Sequence, residues 1–97
     1  MQFLVIARDG HDALKRRLAM REAHLAAANR LRASGNLLYG VAMLDDNGQP
    51  TGSMEVVQFE SRVELDRWLQ QEPFVTGQVW AEVEVTPCRV GPMFGVR

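Results

Sequence analysis

The chain has a single cysteine, Cys88, in 97 residues. That excludes an internal disulfide and a zinc site built on paired thiolates. It also lacks net charge: eleven Lys and Arg against twelve Asp and Glu leave −1 at pH 7. Such a balance supplies no global field to attract nucleic acid or an anionic membrane surface, so neither is expected as a partner. No apolar run approaches the roughly 18 residues of a membrane span. A basic leader with a cleavage site is missing too, since Met1 is followed directly by Gln2-Phe-Leu-Val-Ile6, and a cytoplasmic protein is expected. The spacing Gly48-Gln-Pro-Thr-Gly52 has neither the lysine nor the following helix of a phosphate loop. No residue cluster has metal-ligand spacing and no nucleophile stands in an activating motif, so neither metal nor cofactor is expected. What is present is an ordinary globular composition, 46% apolar and 24% charged. At this length one domain over residues 1–97 is expected.

Along the chain, Gln2 to Ala7 is apolar at nearly every position and reads as a strand covered on both faces. Arg8-Asp-Gly-His-Asp12 breaks it, and Asp12 is the expected N-cap of a helix from Ala13 to Ser34. In that helix Leu14, Leu18, Leu25 and Ala28 form one narrow apolar stripe, with a break near Ala19–Arg21 compatible with the composition. Gly35 suits the left-handed position just past its end. Leu37 to Met43 reads as a second strand in which Gly40 marks a bulge or a close backbone approach. Turn formers fill Asp45 to Gly52, and Ser53 to Glu60 is a third strand. Ser61-Arg-Val-Glu64 has the spacing of a capping box. The helix it starts carries Leu65, Trp68 and Leu69 and stops near Gln71, because Pro73 disfavours a helical residue before it. Gln78 to Thr86 alternates strictly, with Val79, Ala81, Val83 and Val85 on one face and Trp80, Glu82, Glu84 and Thr86 on the other. The tail from Pro87 to Arg97 is irregular, with Met93 and Phe94 as its docking side chains.

Strand, helix, strand, strand, helix, strand is the order of the ferredoxin-like α+β fold: a four-stranded antiparallel sheet with both helices on one face. That arrangement leaves the second sheet face open, yet the first strand is apolar on both, Phe3, Val5 and Ala7 against Leu4 and Ile6. Monomers avoid an exposed patch of that kind. A homodimer packed sheet to sheet is therefore expected, with the tail folding back over the face as the alternative.

Two stretches carry the candidate chemistry. His24 lies about 100° around the helix from Leu25 but only about 20° from Leu31. It sits at the margin of the apolar stripe, where an imidazole is partly desolvated and still reaches a cleft, with Arg17 and Arg21 on the same flank. Glu72 stands where the helix is forced to stop and its side chain can enter a groove, and Phe74 follows as a core or pocket-wall aromatic. Each has a bland reading as well: a boundary histidine bonded to a carbonyl, a solvated glutamate. Between Ala13 and Ser34 stand Lys15, Arg16, Arg17, Arg21, Arg30 and Arg32 against one acid, Glu22. That field favours an anionic small molecule if it faces the cleft, and is a solvated helix face otherwise. His11, among Asp and Gly, is expected to be exposed.

Several short motifs recur together: Lys15-Arg-Arg-Leu18 with Arg21-x-x-His24-Leu25, Ser34-Gly-Asn-Leu-Leu38, Gly52-Ser53, Glu72-Pro-Phe74, and a last strand closing on Pro87. In this order and spacing, over nearly the whole chain, they resemble the YCII (YciI-like) family. The resemblance implies dimers of the dimeric α+β barrel type, and an enzyme in which an imidazole and an acidic side chain meet in a pocket. The family's histidine matches His24. Its acid is usually an aspartate before proline and an aromatic, and matches Glu72, whose extra methylene moves the carboxylate by roughly 1.5 Å. The chemistry implied is isomerisation, lactone chemistry or removal of chloride from a ring-derived metabolite. In that enzyme His24 is the general acid or base and Glu72 orients it, while Arg21 holds an anionic oxygen, Ser53 adds a hydrogen bond and Phe74 walls the pocket. The alternatives are a non-catalytic small-molecule-binding or accessory dimer, in which His24 is only a polar contact, and a haem- or quinol-type monooxygenase of the same barrel class.

Overall fold

Alternation along the first strand decides which side of the sheet is dry. In the computed structural model, which describes residues 1–95, β1 (Gln2–Asp9) buries Phe3, Val5 and Ala7 to 1% exposure each, while Leu4 and Ile6 are only half-buried. The strand expected to be covered on both faces is thus covered on one within a single chain. The remaining elements are α1 (Leu14–Ala33), β2 (Leu37–Leu44), β3 (Pro50–Gln58), α2 (Arg62–Gln71), the single turn α3 (Pro73–Thr76) and β4 (Trp80–Cys88), followed by a 3-10 turn at Pro92–Phe94. The sheet order is β2-β3-β1-β4 with every neighbouring pair antiparallel, the ferredoxin-like arrangement. Among the described residues no helix is long and apolar enough to cross a membrane.

Register carries the dry face across the sheet. Phe3, Val5 and Ala7 stand opposite Val57, Glu55 and Ser53 of β3, and opposite Pro87, Val85 and Val83 of β4. Paired residues point to the same face, so Glu55 and Ser53 share the helix-covered side with the core. One core cluster joins Phe3, Val5, Val57, Phe59 and Leu65; a second joins Ala7, Ala13, Phe74, Val79 and Trp80. Trp80 is on this side because the β1–β4 pairing slips by one residue: Arg8 faces Glu82, but Asp9 faces Trp80. Strict alternation had placed Trp80 beside Glu82 on the wet face. The bulge skips Ala81 and turns the indole inward, to 7% exposure.

The long helix corrects the sequence reading most. It runs without a break for 20 residues. Its N-cap is Ala13, not Asp12, and no side chain caps it; Asp12 sits at φ 53°, in the left-handed region. At the far end Gly35 (φ 84°) donates to the Arg32 carbonyl at 3.0 Å and Asn36 to the Leu31 carbonyl at 3.0 Å, which closes the helix as expected. The stripe of Leu14, Leu18 and Leu25 is not the packed face, for these residues are 37, 58 and 41% exposed. The inward row is Arg17, Met20, His24, Ala27 and Leu31, spaced three and four residues apart. A hydropathy pattern scores arginine and histidine as outside, and these two are inside because they are paired there.

Elsewhere the differences are smaller. The bulges of β2 fall at Leu38 and between Met43 and Leu44 rather than at Gly40. β3 begins at Pro50, so the turn shortens to residues 45–49, held by Asp45 Oδ1 accepting from the Asn47 and Gln49 amides at 2.8 and 3.0 Å. Gly52 lies inside the strand, and a Cβ there would stand 2.6 Å from the Ala7 carbonyl oxygen. Ser61 caps α2, its hydroxyl accepting from the Glu64 amide at 3.3 Å. Met93 and Phe94 do not dock: they are 78 and 74% exposed, so the tail as far as Gly95 leaves the open sheet face uncovered. Val96 and Arg97, the end of the expected tail, lie outside the described residues.

Candidate active site

Glu72 holds the site together from a backbone position that belongs to two helices at once. It ends α2 in extended conformation (φ −64°, ψ 125°), as the proline after it requires, and it starts α3. Its Oε1 accepts from the Phe74 amide at 3.2 Å, an N-cap bond, and the same oxygen accepts from His24 Nδ1. The carboxylate is 3% exposed and the imidazole 16%. Because the carboxylate accepts, Nδ1 carries the hydrogen, and Nε2 is left without a hydrogen bond among the described residues. The imidazole lies flat on the Phe74 ring, centroids 3.9 Å apart and planes within 8°, with Trp80 edge-on at 6.1 Å. The glutamate side chain folds back over the start of that short turn to reach both donors.

Next to this pair sits a buried ion pair. Arg17 donates from Nη1 to both Asp9 oxygens at 2.8 and 3.0 Å, and both side chains are 7% exposed. Its Nη2 donates to Ser53 Oγ at 2.9 Å and to the Gly52 carbonyl at 3.2 Å, and its Cζ stands 4.6 Å from the Phe74 ring centre. Trp80 Nε1 also donates to Ser53 Oγ, at 3.3 Å. The hydroxyl thus has both lone pairs engaged, so its own hydrogen is the one it can offer to a ligand.

A cleft of about 510 Å³ opens between α1 and the β2–β3 edge, with Arg17, Arg21, His24, Ser53, Glu55 and Phe74 among its walls. All five residues singled out from the sequence are accounted for there: His24, Arg21, Ser53 and Phe74 line the cleft, and Glu72 stands behind His24. Arg21 is exposed on the rim and makes no hydrogen bond or ion pair among the described residues. The wider basic field does not reach the cleft as a whole, since Arg16 and Arg32 are spent on backbone carbonyls and Arg17 on Asp9. His11 is exposed as expected, 3.1 Å from Asp12. Among the described residues no three His, Cys, Asp or Glu side chains are grouped to hold a metal ion.

Sequence reasoning missed Asp9, Trp80 and Glu55, and took Arg17 only as a flank residue. Glu55 is the most consequential. It is 6% exposed, and its Oε1 has no hydrogen-bond partner among the described residues. Burial, helped by the charge of Glu72 and opposed by that of His24, pushes its carboxyl up to about 7. The signal was available: in Ser53-Met-Glu55-Val-Val57 the period of two puts the glutamate on the face of Ser53 and Val57.

A one-sided antiparallel sheet, with a His–carboxylate contact in the cleft beneath its long helix, defines a ferredoxin-like α+β protein. The model of the YCII-related domain matches residues 1–89, and the chain belongs to that family. An uncharacterized protein of Haemophilus influenzae is 37% identical over 93 residues, covering 90% of this chain and 95% of its own. Protein YciI of Escherichia coli is 34% identical with the same coverage. Among solved structures, the 5-chloro-2-hydroxyhydroquinone dehydrochlorinase of Burkholderia phenoliruptrix, in complex with 2,5-dihydroxybenzoquinone, superposes with a TM-score of 0.84 at 26% identity. That likeness covers 96% of this chain and 98% of the enzyme.

Proposed function

We propose that this protein is a small cofactor-independent enzyme that moves protons on an anionic, ring-derived metabolite, with isomerisation, lyase or dehalogenation chemistry. The observation that carries this reading is the hydrogen bond between His24 Nδ1 and the buried Glu72 carboxylate at the wall of a cleft. Glu72 fixes the tautomer and stabilises the imidazolium, so Nε2 is the nitrogen that exchanges a proton with the substrate. Stacking on Phe74 fixes the plane of the ring. Arg21 holds an anionic oxygen from the rim, and the Ser53 hydroxyl donates to a second one. A proton moved from one ring hydroxyl to the ring carbon that bears the leaving group gives a keto tautomer. Removal of a proton from a second hydroxyl then drives an electron pair through the ring and expels X⁻ from that tetrahedral carbon. Loss of HX in this way needs no external oxidant. The similarity to a dehydrochlorinase over nearly the full chain supports this class of substrate. It does so alongside the site and not in place of it.

The pair is tested without any substrate. Long-range ¹H–¹⁵N spectra of the imidazoles are expected to show Nδ1 of His24 protonated in the wild type, and a different tautomer balance in Glu72→Ala. Nitrogen shifts that are the same in both proteins would remove the support for the enzyme reading.

Assembly belongs to the same proposal. Leu4, Ile6, Met54 and Val56 share the sheet face away from the helices with Tyr39 and Val41, which are 66 and 42% exposed. A second copy packed on that face covers the row, as a sheet-on-sheet dimer. Light scattering at micromolar concentration is expected to give twice the 10.9 kDa chain mass. A monomer mass there rejects the dimer and leaves the His24–Glu72 contact standing, because that contact lies on the helix-covered side.

A further inference from the structure

We propose that Glu55 is a third proton-carrying group of the cleft, a carboxylic acid whose hydrogen is donated to an oxygen of the bound ligand. The inference rests on the reading of His24 and Glu72 above and adds a ligand contact which that reading does not contain. Its basis is position. Glu55 sits on the helix-covered face of β3, two residues from Ser53, opposite Val5 of β1 and Gly40 of β2. At Gly40 the neighbouring strand has no side chain, and a Cβ there would stand 3.6 Å from Glu55 Cγ. The position of β2 paired with Glu55 therefore contributes no side chain over the carboxyl. The residue is 6% exposed, lines the cleft, and leaves Oε1 without a hydrogen bond among the described residues.

An ionised carboxylate buried without a partner is strongly unfavourable, and protonation is the ordinary remedy. The charged groups around it do not reverse that. From α1 come Arg17, Arg21 and His24; from the α2–α3 junction, Glu72; from β1, Asp9. Arg17 is matched by Asp9 and His24 by Glu72, while Arg21 stands at the exposed rim. The cleft-lining residues of β2 are not titratable. Burial is the largest cause, the charge of Glu72 adds to it and that of His24 opposes it, and the carboxyl is pushed up to about 7. A neutral carboxylic acid has one O–H to donate. An anionic phenolate or enolate oxygen is the acceptor that gains most from it, because a charge-assisted O–H···O⁻ bond is among the stronger ones. Ionised Glu55 repels the same oxygen. With the Ser53 hydroxyl as a second donor on the same strand face, the site favours a small anion carrying more than one ring oxygen.

The test has a ligand-free arm and a ligand arm. In protein labelled with ¹³C at glutamate, the Glu55 carboxyl, assigned from the Glu55→Gln spectrum, is expected to titrate near neutrality and to move down in Glu72→Gln. A midpoint in the ordinary glutamate range of about 4.3 overturns the proposal. In the second arm 2,5-dihydroxybenzoquinone is the probe, followed by calorimetry on both sides of neutrality in buffers of different ionisation enthalpy. Wild-type protein is expected to take up a proton on binding and to lose roughly tenfold in affinity per pH unit above about pH 7. Glu55→Gln, which keeps an N–H donor, is expected to bind without that uptake. Equal affinity and equal pH dependence in the two proteins, or no binding by the wild type, overturns the role of Glu55. The His24 nitrogen spectra then decide separately whether the His24–Glu72 pair stands.

Discussion

Arg17→Met is expected to lower the melting temperature by roughly 15–30 °C. The guanidinium and the Asp9 carboxylate are each 7% exposed, and two hydrogen bonds join them. Removing one member of such a pair strands the other as a buried charge, at a cost of about 3–5 kcal/mol. For a chain of this size each kcal/mol is worth roughly 4–8 °C. The same change frees the Gly52 carbonyl and one lone pair of Ser53, so the strand that presents Ser53 and Glu55 loses its anchor to α1. The double variant Arg17→Met with Asp9→Leu removes both charges together and is expected to recover most of the loss, since an apolar pair of similar size is often as stable as the ions it replaces. Differential scanning calorimetry on the three proteins decides. A single variant melting within a few degrees of the wild type would mean that the pair contributes little, and that the inward row of α1 is held by its other members, Met20, His24, Ala27 and Leu31.

The arginine also explains what was legible in the chain and what was not. Element order, the Gly35 stop, the Ser61 cap and the end of α2 before Pro73 all follow from local rules, and each reads directly from a few adjacent residues. The face of α1 does not. Leu14, Leu18 and Leu25 form the better apolar stripe, yet the helix turns Arg17 and His24 inward because Asp9 and Glu72, 8 and 48 residues away in sequence, are there to meet them. Hydropathy periodicity assumes that charge stays outside, and it fails where distant partners neutralise the charge. Trp80 was misplaced for a related reason: a one-residue slip against β1 inverts the face of everything beyond it. Of the site, the histidine and the carboxylate could be suspected from a helix margin and a proline stop. The ring of groups around them could not, because it depends on sheet register.

His24→Ala is expected to reduce kcat on a ring-derived substrate by about 10²–10⁴, the usual contribution of a positioned acid–base group. The change deletes the imidazole that stacks on Phe74, so melting must be followed in parallel to separate lost chemistry from lost packing. Glu72→Gln is a gentler variant by design. Its amide oxygen can still accept from the Phe74 amide and from Nδ1, so cap and tautomer survive while the charge opposite the imidazolium is lost. A smaller fall in kcat with little change in KM is therefore expected, since the missing interaction strengthens only as the ring takes a proton. The double variant should be no slower than His24→Ala alone, because a carboxylate that acts through the imidazole has nothing left to act on. Additive losses would mean that Glu72 meets the substrate independently of His24. Unchanged turnover in His24→Ala would remove His24 and Glu72 from the chemistry. A wild type that binds such a ring compound without turning it over would instead be a binding module whose His24 is one polar contact among several, with the Arg21 rim and Ser53 carrying recognition.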